Sequence, residues 1–525
     1  MAKEITFDSA AQRKLQAGVD RLADVIKITL GPKGRNVLLQ KASGPPLVVN
    51  DGATIAKEIT LEDPLEDMGA GIIRQAASRT NDAAGDGTTT ATLLAQCIIR
   101  EGLRNMAAGA NPVELRKGIL GAAQVAAAAL QRLARPVDGP QGIARVASVS
   151  AADPGVGAMI ADAMERVGRD GAISVEESGG LETVLDMAEG MQFDRGLLSP
   201  QFCTNTDLQI AELDRPYLLI TDLKITSLPE LVPLLEDVME EDRPLLIIAE
   251  GLSEEVLATL ALNKAQGVLQ VAAVHPPAYG DGRTAIMEDL ALLTGAAFIS
   301  GRLGYRLQDT TLSMLGTARA VRVERSRTVI TGGGGAPQDV AARVEALRRM
   351  AETTGYDFER GRVRERLARL SGGVAVIRAG APTEAEMKEK KLRFDDALHA
   401  AQAALAEGIV PGGGVALLDA APAVRAYRDT LDGGQRTGCG ILLRALEEPV
   451  RQIASNAGLD GGTVAAGVRD RPAGVGFDVM TQEYVDMLEA GIVDPVRVTR
   501  LALLNAASVA ATLLTTQAGL TERAR

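Results

Sequence analysis

Residues 81–92, NDAAGDGTTTAT, bring together residue types that could bind a charged ligand at the start of a helix. They contain two glycines, one acid and three threonines, namely Gly85, Gly87, Asp86, Thr88, Thr89 and Thr90. The glycines allow positive φ and a close backbone approach to a ligand, and the threonines stand where a helix leaves its first N–H groups unpaired. This spacing is typical of an anion-binding loop. Because Asp86 would repel a bare phosphate, we expect it to hold a hard cation such as Mg²⁺.

A purely structural explanation also fits this segment. Asp-Gly is a common turn dipeptide, and a run of threonines can begin a core helix that has no ligand. The sequence has no Walker-type G-x-x-x-x-G-K-[ST] motif to support phosphate binding. From local chemistry alone, a nucleotide site and a plain turn before a helix are about equally good interpretations.

Turn residues and apolar periodicity predict the elements around this loop. A first amphipathic helix is expected to stop at Gly31, and a strand pair is expected at residues 37–40 and 47–50. Asn111 before Pro112 predicts the N-cap and first residue of a long Ala-rich helix.

Composition limits the classes of protein that this chain can belong to. Its 525 residues are 46% hydrophobic and 24% charged, which indicates a globular protein of two to four domains. A net charge of −12 argues against nucleic acid as a partner. Three scattered cysteines without a C-x-x-C pair fit a reducing compartment, and the sequence predicts neither a signal peptide nor a membrane span. We therefore expect a cytoplasmic protein with no membrane partner.

Two predicted helices are apolar on more than one face. They cover residues 230–239 and 254–262. A helix of this kind either buries both faces or exposes one as a binding surface, and burial is the commoner case in an arbitrary protein.

The 81–92 segment resembles the ATP-site signature of GroEL-type (group I) chaperonins, and the similarity extends from about residue 2 to about residue 516. The resemblance implies ATP and Mg²⁺ as cofactors and allows K⁺ as a further cation. It assigns nucleotide contacts to Thr29, Leu30, Gly31, Pro32, Asn50, Asp86, Gly87, Thr88, Thr89, Thr90, Gly413, Asp478, Val479 and Asp494. Asp86 would be the metal ligand. Asp51 and Asp396 would be catalytic, with Asp396 orienting or deprotonating the attacking water.

The same resemblance implies two further sets of residues. Contacts with non-native chains and with a co-chaperonin are expected at Leu197, Gln201, Phe202, Val232, Leu235, Leu257, Ala261 and Leu262. Arg195 and Glu384 are expected to pair across neighbouring subunits.

Three residues depart from the family pattern near the nucleotide. Asn50 stands where Lys is usual, Asp478 replaces a usual Asn, and Pro411 replaces a small residue. Losing a cation beside the phosphates should alter nucleotide affinity or the allosteric response.

The implied architecture is a mixed α and α/β, three-domain chaperonin subunit. Residues 1–132 and 408–525 would form a mostly helical equatorial domain, 133–188 and 374–407 a small intermediate domain, and 189–373 an α/β apical domain. Gly190, Gly373 and Gly408 lie near the expected joints, where glycine permits large backbone changes.

The implied function is an ATP-dependent chaperone that encloses non-native polypeptides in a ring and works with a GroES-type co-chaperonin. A homo-oligomer of two seven-membered rings is expected, although the weakly charged residues 457–462 leave a single ring open. One alternative is a divergent paralogue that holds clients with weak ATP turnover, which Asn50, Pro411 and Asp478 would favour. Another is a small-molecule kinase, which would not form a very large ring.

Overall fold

The computed structural model describes residues 3–40, 46–168, 172–178, 180–188, 190–205, 209–277, 281–354, 357–371 and 373–522. Its α-helices are α1 Asp8–Ile26, α2 Gly52–Glu58, α3 Pro64–Ala84, α4 Thr88–Ala107, α5 Pro112–Leu133, α6 Gly139–Ala151, α7 Pro154–Val167, α8 Val232–Glu240, α9 Glu254–Ala265, α10 Asp281–Thr294, α11 Pro337–Thr353, α12 Asp357–Ser371, α13 Glu384–Glu407, α14 Val415–Asp429, α15 Gly433–Ala445, α16 Glu448–Asn456, α17 Gly461–Arg469 and α18 Val496–Leu514. Its strands are β1 Lys3–Phe7, β2 Val37–Leu39, β3 Leu47–Val49, β4 Ala172–Glu177, β5 Val184–Ala188, β6 Gly190–Phe193, β7 Ala211–Asp214, β8 Tyr217–Thr221, β9 Lys224–Ile225, β10 Leu245–Ile248, β11 Gly251–Leu252, β12 Val271–Val274, β13 Phe298–Ile299, β14 Gly316–Val323, β15 Thr328–Gly333, β16 Val374–Ala379, β17 Ile409–Pro411, β18 Val475–Asp478, β19 Glu483–Asp486, β20 Val493–Pro495 and β21 Ala518–Glu522.

The chain divides into two compact units. The first comprises Met1–Asp162, Glu177–Glu182 and Gly380–Arg525, and the second comprises Ala163–Glu176 and Thr183–Ala379. Both segments of the predicted equatorial domain fall in the first unit, and the predicted apical segment falls in the second. The segments predicted for an intermediate domain are divided between the two units, so the three-domain division stays a prediction. Its boundary at residue 189 lies outside the described residues.

The first unit is a layered bundle of helices that both ends of the chain complete. Helices α1, α3, α4, α5, α15 and α18 share one core of buried Ala, Leu, Ile and Val side chains. Strand β1 pairs antiparallel with β21, with Lys3 opposite Glu522. The predicted cap of α5 is confirmed, because the Asn111 side chain accepts a hydrogen bond from the Val113 amide at 2.9 Å.

Helix α18 passes a length and hydropathy test for a membrane span. Among the described residues it alone does so, with a mean hydropathy of 1.2, and 61% of the tested window is buried inside the protein. It packs against α3, α4 and α5 at the centre of the bundle. Its apolar composition is therefore explained by its place in the core.

The second unit is built on a mixed eight-stranded sheet. Strands β8, β10, β12 and β13 are parallel, with Leu245 of β10 opposite both Tyr217 of β8 and Val271 of β12. Strands β6, β7, β14 and β15 extend the sheet with antiparallel pairs. The strands alternate with helices, so the α/β pattern predicted for this part of the chain is confirmed.

Candidate functional site

The loop between α3 and α4 is shaped by two glycines in the left-handed region. Gly85 has φ +71° and ends α3, and Gly87 has φ +84° and precedes Thr88, the first residue of α4. A Cβ on Gly85 would lie 2.3 Å from the Cβ of His399 in α13, so only glycine fits there. The three threonines occupy the first turn of α4, as the sequence predicts.

Asp86 lies between these glycines and is held on both of its carboxylate oxygens. One oxygen accepts a hydrogen bond from the Gly87 amide, and the other accepts one from the Ser150 hydroxyl at 2.9 Å. Burial raises the pKa of Asp86, and the charge of Asp51 adds to that rise. Sequence reasoning missed Ser150, because Ser148 and Ser150, the two serines of α6, form no recognisable motif.

Asp51, the residue before α2, lies beside the N-terminus of α4. Its carboxylate accepts hydrogen bonds from the amides of Ala53 at 3.1 Å and Thr54 at 2.7 Å, which makes it the N-cap of α2. The Thr88 hydroxyl also donates to it, at 3.3 Å. A Cβ on Gly52 would lie 2.9 Å from the Thr88 Oγ1, so the backbone after Asp51 runs close against α4. Asp51 is therefore both a capping residue and a neighbour of the 81–92 segment.

The segment that follows α1 also contacts the N-terminus of α4. The hydroxyl oxygens of Thr29 and Thr89 lie 3.3 Å apart. The Leu30 carbonyl accepts a hydrogen bond from the Asn456 side chain at 2.9 Å, which fixes this turn against α16. Helix α1 ends at Ile26, earlier than predicted, and a 3-10 helix continues to Thr29, so the helical run stops just before Gly31, which has φ +83°. Pro32, Asn50 and Thr90 complete this part of the predicted set, with Pro32 exposed and the other two half-buried.

Asp396 in α13 is a third acid that interacts with Asp51 and Asp86, and we call these acids, together with Asp494 and the N-terminus of α4, the carboxylate recess. Burial raises its pKa well above the ordinary value, and the charges of Asp51, Asp86 and Asp395 raise it further. Repulsion of this kind requires carboxylates that are close together. Asp51 and Asp86 therefore lie near enough to Asp396 for their charges to act on it.

Asp494 in β20 is the fourth acid of the group. Burial, followed by the charge of Asp86, raises its pKa to about 7, while a hydrogen bond from the Gly414 amide acts in the opposite direction. Val410 of β17 lies opposite Asp494, and Gly413 follows this strand with φ +63° before α14 begins. Gly413 and Gly414, which both have positive φ, therefore form the turn beside Asp494.

Asp478 and Val479 lie at the end of β18, in the β18–β19 hairpin. The Asp478 carboxylate accepts hydrogen bonds from the Met480 amide at 2.8 Å and the Thr481 hydroxyl at 3.0 Å, and Val479 is buried. Phe477 of this hairpin packs in a cluster with Val415, the first residue of α14, and so the hairpin is joined to the segment that follows Gly413 and Gly414.

The side chains of this recess fit a hard cation and an anionic ligand. Its donors are carboxylate and hydroxyl oxygens, which suit Mg²⁺, an ion usually held by one or two carboxylates together with phosphates and water. The N-terminus of α4 and the glycine loop before it supply amides that suit a phosphate. Among the described residues, no Lys or Arg contributes to the shifted pKa values of Asp86, Asp396 and Asp494, so a bound cation would relieve their repulsion. Within the described ranges, no three His, Cys, Asp or Glu side chains converge as a metal site of their own.

The residues expected to contact client chains differ in exposure within the second unit. Leu262 is 57% exposed and Val232 is 37% exposed, whereas Phe202, Leu235 and Ala261 are buried in the core. The rest of the expected set is Gln201, which is exposed, and Leu197 and Leu257, which are half-buried. Two exposed apolar residues that sequence reasoning left out, Met239 and Val268, lie at or just beyond the ends of α8 and α9.

The predicted intersubunit partners lie in different units. The Arg195 guanidinium donates a hydrogen bond to the Pro276 carbonyl at 3.2 Å. Glu384 is exposed at the start of α13 and pairs with Lys388, which lowers the pKa of Glu384. Their pairing across subunits stays a prediction.

Comparison with known families identifies the class of protein to which this helical and α/β chain belongs. The model of the TCP-1/cpn60 chaperonin family matches residues 22–522, which is nearly the whole sequence. The chain is therefore a member of the TCP-1/cpn60 chaperonin family, with a chaperone role in protein folding. Membership implies assembly into an oligomeric ring that binds non-native polypeptides.

Proposed function

We propose that this protein is a GroEL-type (group I) chaperonin subunit, an ATPase that encloses non-native polypeptides in a ring cavity and promotes their folding. The observation that carries the proposal is the charge repulsion between Asp86, beside the N-terminus of α4, and each of Asp51, Asp396 and Asp494. Burying like charges together is costly unless a ligand neutralises them, so a structural role alone explains this arrangement poorly.

Each part of the recess has a distinct task in nucleotide binding. Asp86 would hold the cation, and hydrogen bonds from the Gly87 amide and the Ser150 hydroxyl orient the Asp86 carboxylate. The amides at the start of α4 and the Thr88, Thr89 and Thr90 hydroxyls bind phosphate oxygens. When bound, ATP supplies the γ-phosphate whose transfer to water releases free energy, and Mg²⁺ neutralises the phosphate charge.

Asp396 acts on the water that attacks the γ-phosphate. Its carboxylate orients this water and takes its proton on a carboxylate oxygen. A pKa held well above the ordinary value gives Asp396 a higher proton affinity than a free aspartate, which suits a general base. Asp51, fixed by its hydrogen bonds to α2, keeps a second carboxylate beside it.

Assembly and location complete the proposal. The subunits form two seven-membered rings in the cytoplasm and are closed by a GroES-type co-chaperonin. Each subunit moves as equatorial, intermediate and apical domains, and Arg195 pairs with Glu384 of a neighbouring subunit. The support for these points is family membership together with the sequence resemblance.

Steady-state ATP hydrolysis by the purified assembly tests the proposal. Asp396→Ala should lower the turnover number at least about 100-fold while nucleotide binding persists, because a positioned general base contributes about 10²–10⁴ to the rate. Glu386→Ala is the matched control, because Glu386 is an exposed acid on the same helix. A GroES-type co-chaperonin should change the turnover of the wild type and of the control.

Absence of turnover in an intact wild-type ring would reject the ATPase and favour a paralogue that only holds clients. Asn50→Lys and Asp478→Asn would then be the variants to examine for restored activity. A monomeric or small protein of normal stability would contradict the ring itself.

A further inference from the structure

A cavity of about 260 Å³ lies in the first unit, between α6 and the β17–β20 strand pair. It is lined by Arg135, Pro136, Asp138, Gln141, Gly142, Arg145, Ile409, Leu488 and Val493. None of these residues belongs to the carboxylate recess. The cavity is therefore a separate feature of the unit.

The two sides of the cavity differ in chemistry. Ile409, Leu488 and Val493 provide an apolar wall and pack with one another in a small cluster. The opposite side comes from α6 and the residues before it, because positions 138, 141, 142 and 145 recur at helical spacing on one face. Apolar and charged groups thus face the same space.

The polar side chains at the mouth of this cavity are exposed to solvent. Within the described part of the chain, neither Arg135 nor Arg145 forms a side-chain hydrogen bond or an ion pair, although both have carboxylates nearby in sequence. Asp138 occupies the N-cap position of α6, yet its carboxylate accepts no capping hydrogen bond. Among the described residues, the Gln141 side chain also forms no hydrogen bond. Two guanidinium groups and one carboxylate leave the mouth with a net positive charge.

We propose that this cavity binds a small organic anion that has an apolar body. A guanidinium presents a planar fork of donors that matches a carboxylate or a phosphate, so Arg135 and Arg145 would hold the anionic group. The apolar body would cover Ile409, Leu488 and Val493. The volume is near the lower end for ligand pockets, about 300 Å³, and therefore suits a ligand of roughly ten heavy atoms.

An occupant of this cavity would contact two elements that hold the carboxylate recess. Helix α6 also carries Ser150, whose hydroxyl donates to Asp86. Val493 immediately precedes Asp494 in β20. A bound anion would thereby fix α6 relative to β20 and alter ATP turnover. This second consequence rests on the proposed ATPase, whereas binding itself does not.

Binding is tested first, with phenylphosphonate as the probe and without nucleotide. Isothermal titration calorimetry on the intact assembly should give one site per subunit with a dissociation constant of about 1 mM or lower, the range expected for a ligand of this size. Arg135→Gln and Arg145→Gln should each weaken binding at least about fivefold, and the double variant should abolish it. Arg132→Gln removes the same charge from an exposed position of α5 outside the cavity and should leave binding unchanged.

Two further probes test separately whether the negative charge and the apolar body of the ligand are needed for binding. Benzyl alcohol, which lacks the charge, and inorganic phosphate, which lacks the apolar body, should each bind at least about tenfold more weakly than phenylphosphonate. The proposed anion site would be contradicted if the wild type failed to bind phenylphosphonate or if the double variant bound it equally well.

The coupling is tested by steady-state ATP hydrolysis with and without saturating phenylphosphonate. The turnover number or the KM for ATP should change at least about twofold in the wild type and in Arg132→Gln, but not in the double variant. An unchanged rate in a wild type that binds the probe and hydrolyses ATP would overturn the coupling alone. A wild type that binds the probe but never hydrolyses ATP would overturn the proposed function and leave the anion site standing.

Discussion

The Ser150 hydroxyl donates a hydrogen bond to a carboxylate oxygen of Asp86 at 2.9 Å. This bond ties α6 to the loop before α4, although 64 residues separate the two partners in the chain. Because the Gly87 amide holds the other oxygen, the Asp86 carboxylate is oriented from two sides. The position of α6 therefore bears directly on the residue that we propose as the cation ligand.

Replacing Ser150 with alanine should impair ATP turnover without unfolding the protein. The variant loses a hydrogen bond to a charged group, worth about 1.5–3 kcal/mol, so we expect ATP hydrolysis to fall roughly 10- to 100-fold at limiting Mg²⁺. Ser148→Ala is the control, since the Ser148 hydroxyl donates only to the Ala144 carbonyl within α6. Equal activity of both variants across a Mg²⁺ titration would show that Ser150 does not orient Asp86.

Asp494→Asn should stabilise the nucleotide-free protein at alkaline pH. The pKa of Asp494 is raised from 3.8 to about 7, so the folded state binds its proton more tightly than the unfolded state does. The stability that comes from this proton is fully present below about pH 4 and is lost as pH rises through 7. Asparagine removes the charge, and its side-chain oxygen can still accept from the Gly414 amide.

The gain from Asp494→Asn should be of order 1–2 kcal/mol at pH 8, after allowance for partial solvent screening, and should vanish near pH 4. Melting temperatures of the two proteins between pH 4 and 8 would measure it. A constant difference between the two melting temperatures over this pH range would show that ionisation of Asp494 does not destabilise the folded state. Saturating Mg²⁺ and nucleotide should reduce or reverse the difference, because the cation favours the ionised carboxylate.

Local chemistry in the sequence predicted the short-range geometry of the site. Positive φ at Gly85 and Gly87 and the N-cap role of Asn111 follow from residue types a few positions apart, and the structure confirms them. The meeting of Asp86 with Asp494 could not be derived in this way, because spacing along the chain does not encode contacts across several hundred residues. That expectation came from the family resemblance.

The apolar helices α8 and α9 show a second limit of sequence reasoning. Their periodicity predicts two apolar faces but does not tell which face packs inward. The structure buries Leu235 and Ala261 in the core of the second unit and leaves Leu262 exposed, a distinction that depends on tertiary packing.

Leu262→Ser should reduce capture of non-native polypeptides while leaving fold and ATP turnover intact. Leu262 is exposed on α9, so serine removes apolar surface from the binding face at little cost in stability. Capture of a chemically unfolded protein, measured by suppression of its aggregation, should fall at least about twofold. Leu235→Ala is the contrast, because truncating this buried leucine should destabilise the second unit by about 2–5 kcal/mol. Normal capture by Leu262→Ser would place the client surface elsewhere.

Asp289→Ala should loosen the α11–α12 helix pair. Asp289 in α10 is 1% exposed, and its carboxylate accepts hydrogen bonds from Arg343 of α11 at 2.7 Å and from Arg366 of α12 at 2.7 and 2.8 Å. Removing this acid leaves two guanidinium groups without their shared partner, and breaking a buried pair of this kind costs about 3–5 kcal/mol.

Hydrogen exchange followed by mass spectrometry would locate the loss in Asp289→Ala, which we expect in the amides of α11 and α12. Glu288→Gln is the control, because Glu288 is half-exposed and meets Arg343 only at 3.6 Å, a type of pair worth about 0–1 kcal/mol. Similar protection in both variants would show that apolar contacts alone hold the helix pair. Selective loss in Asp289→Ala would instead show that one buried carboxylate joins three helices of the second unit.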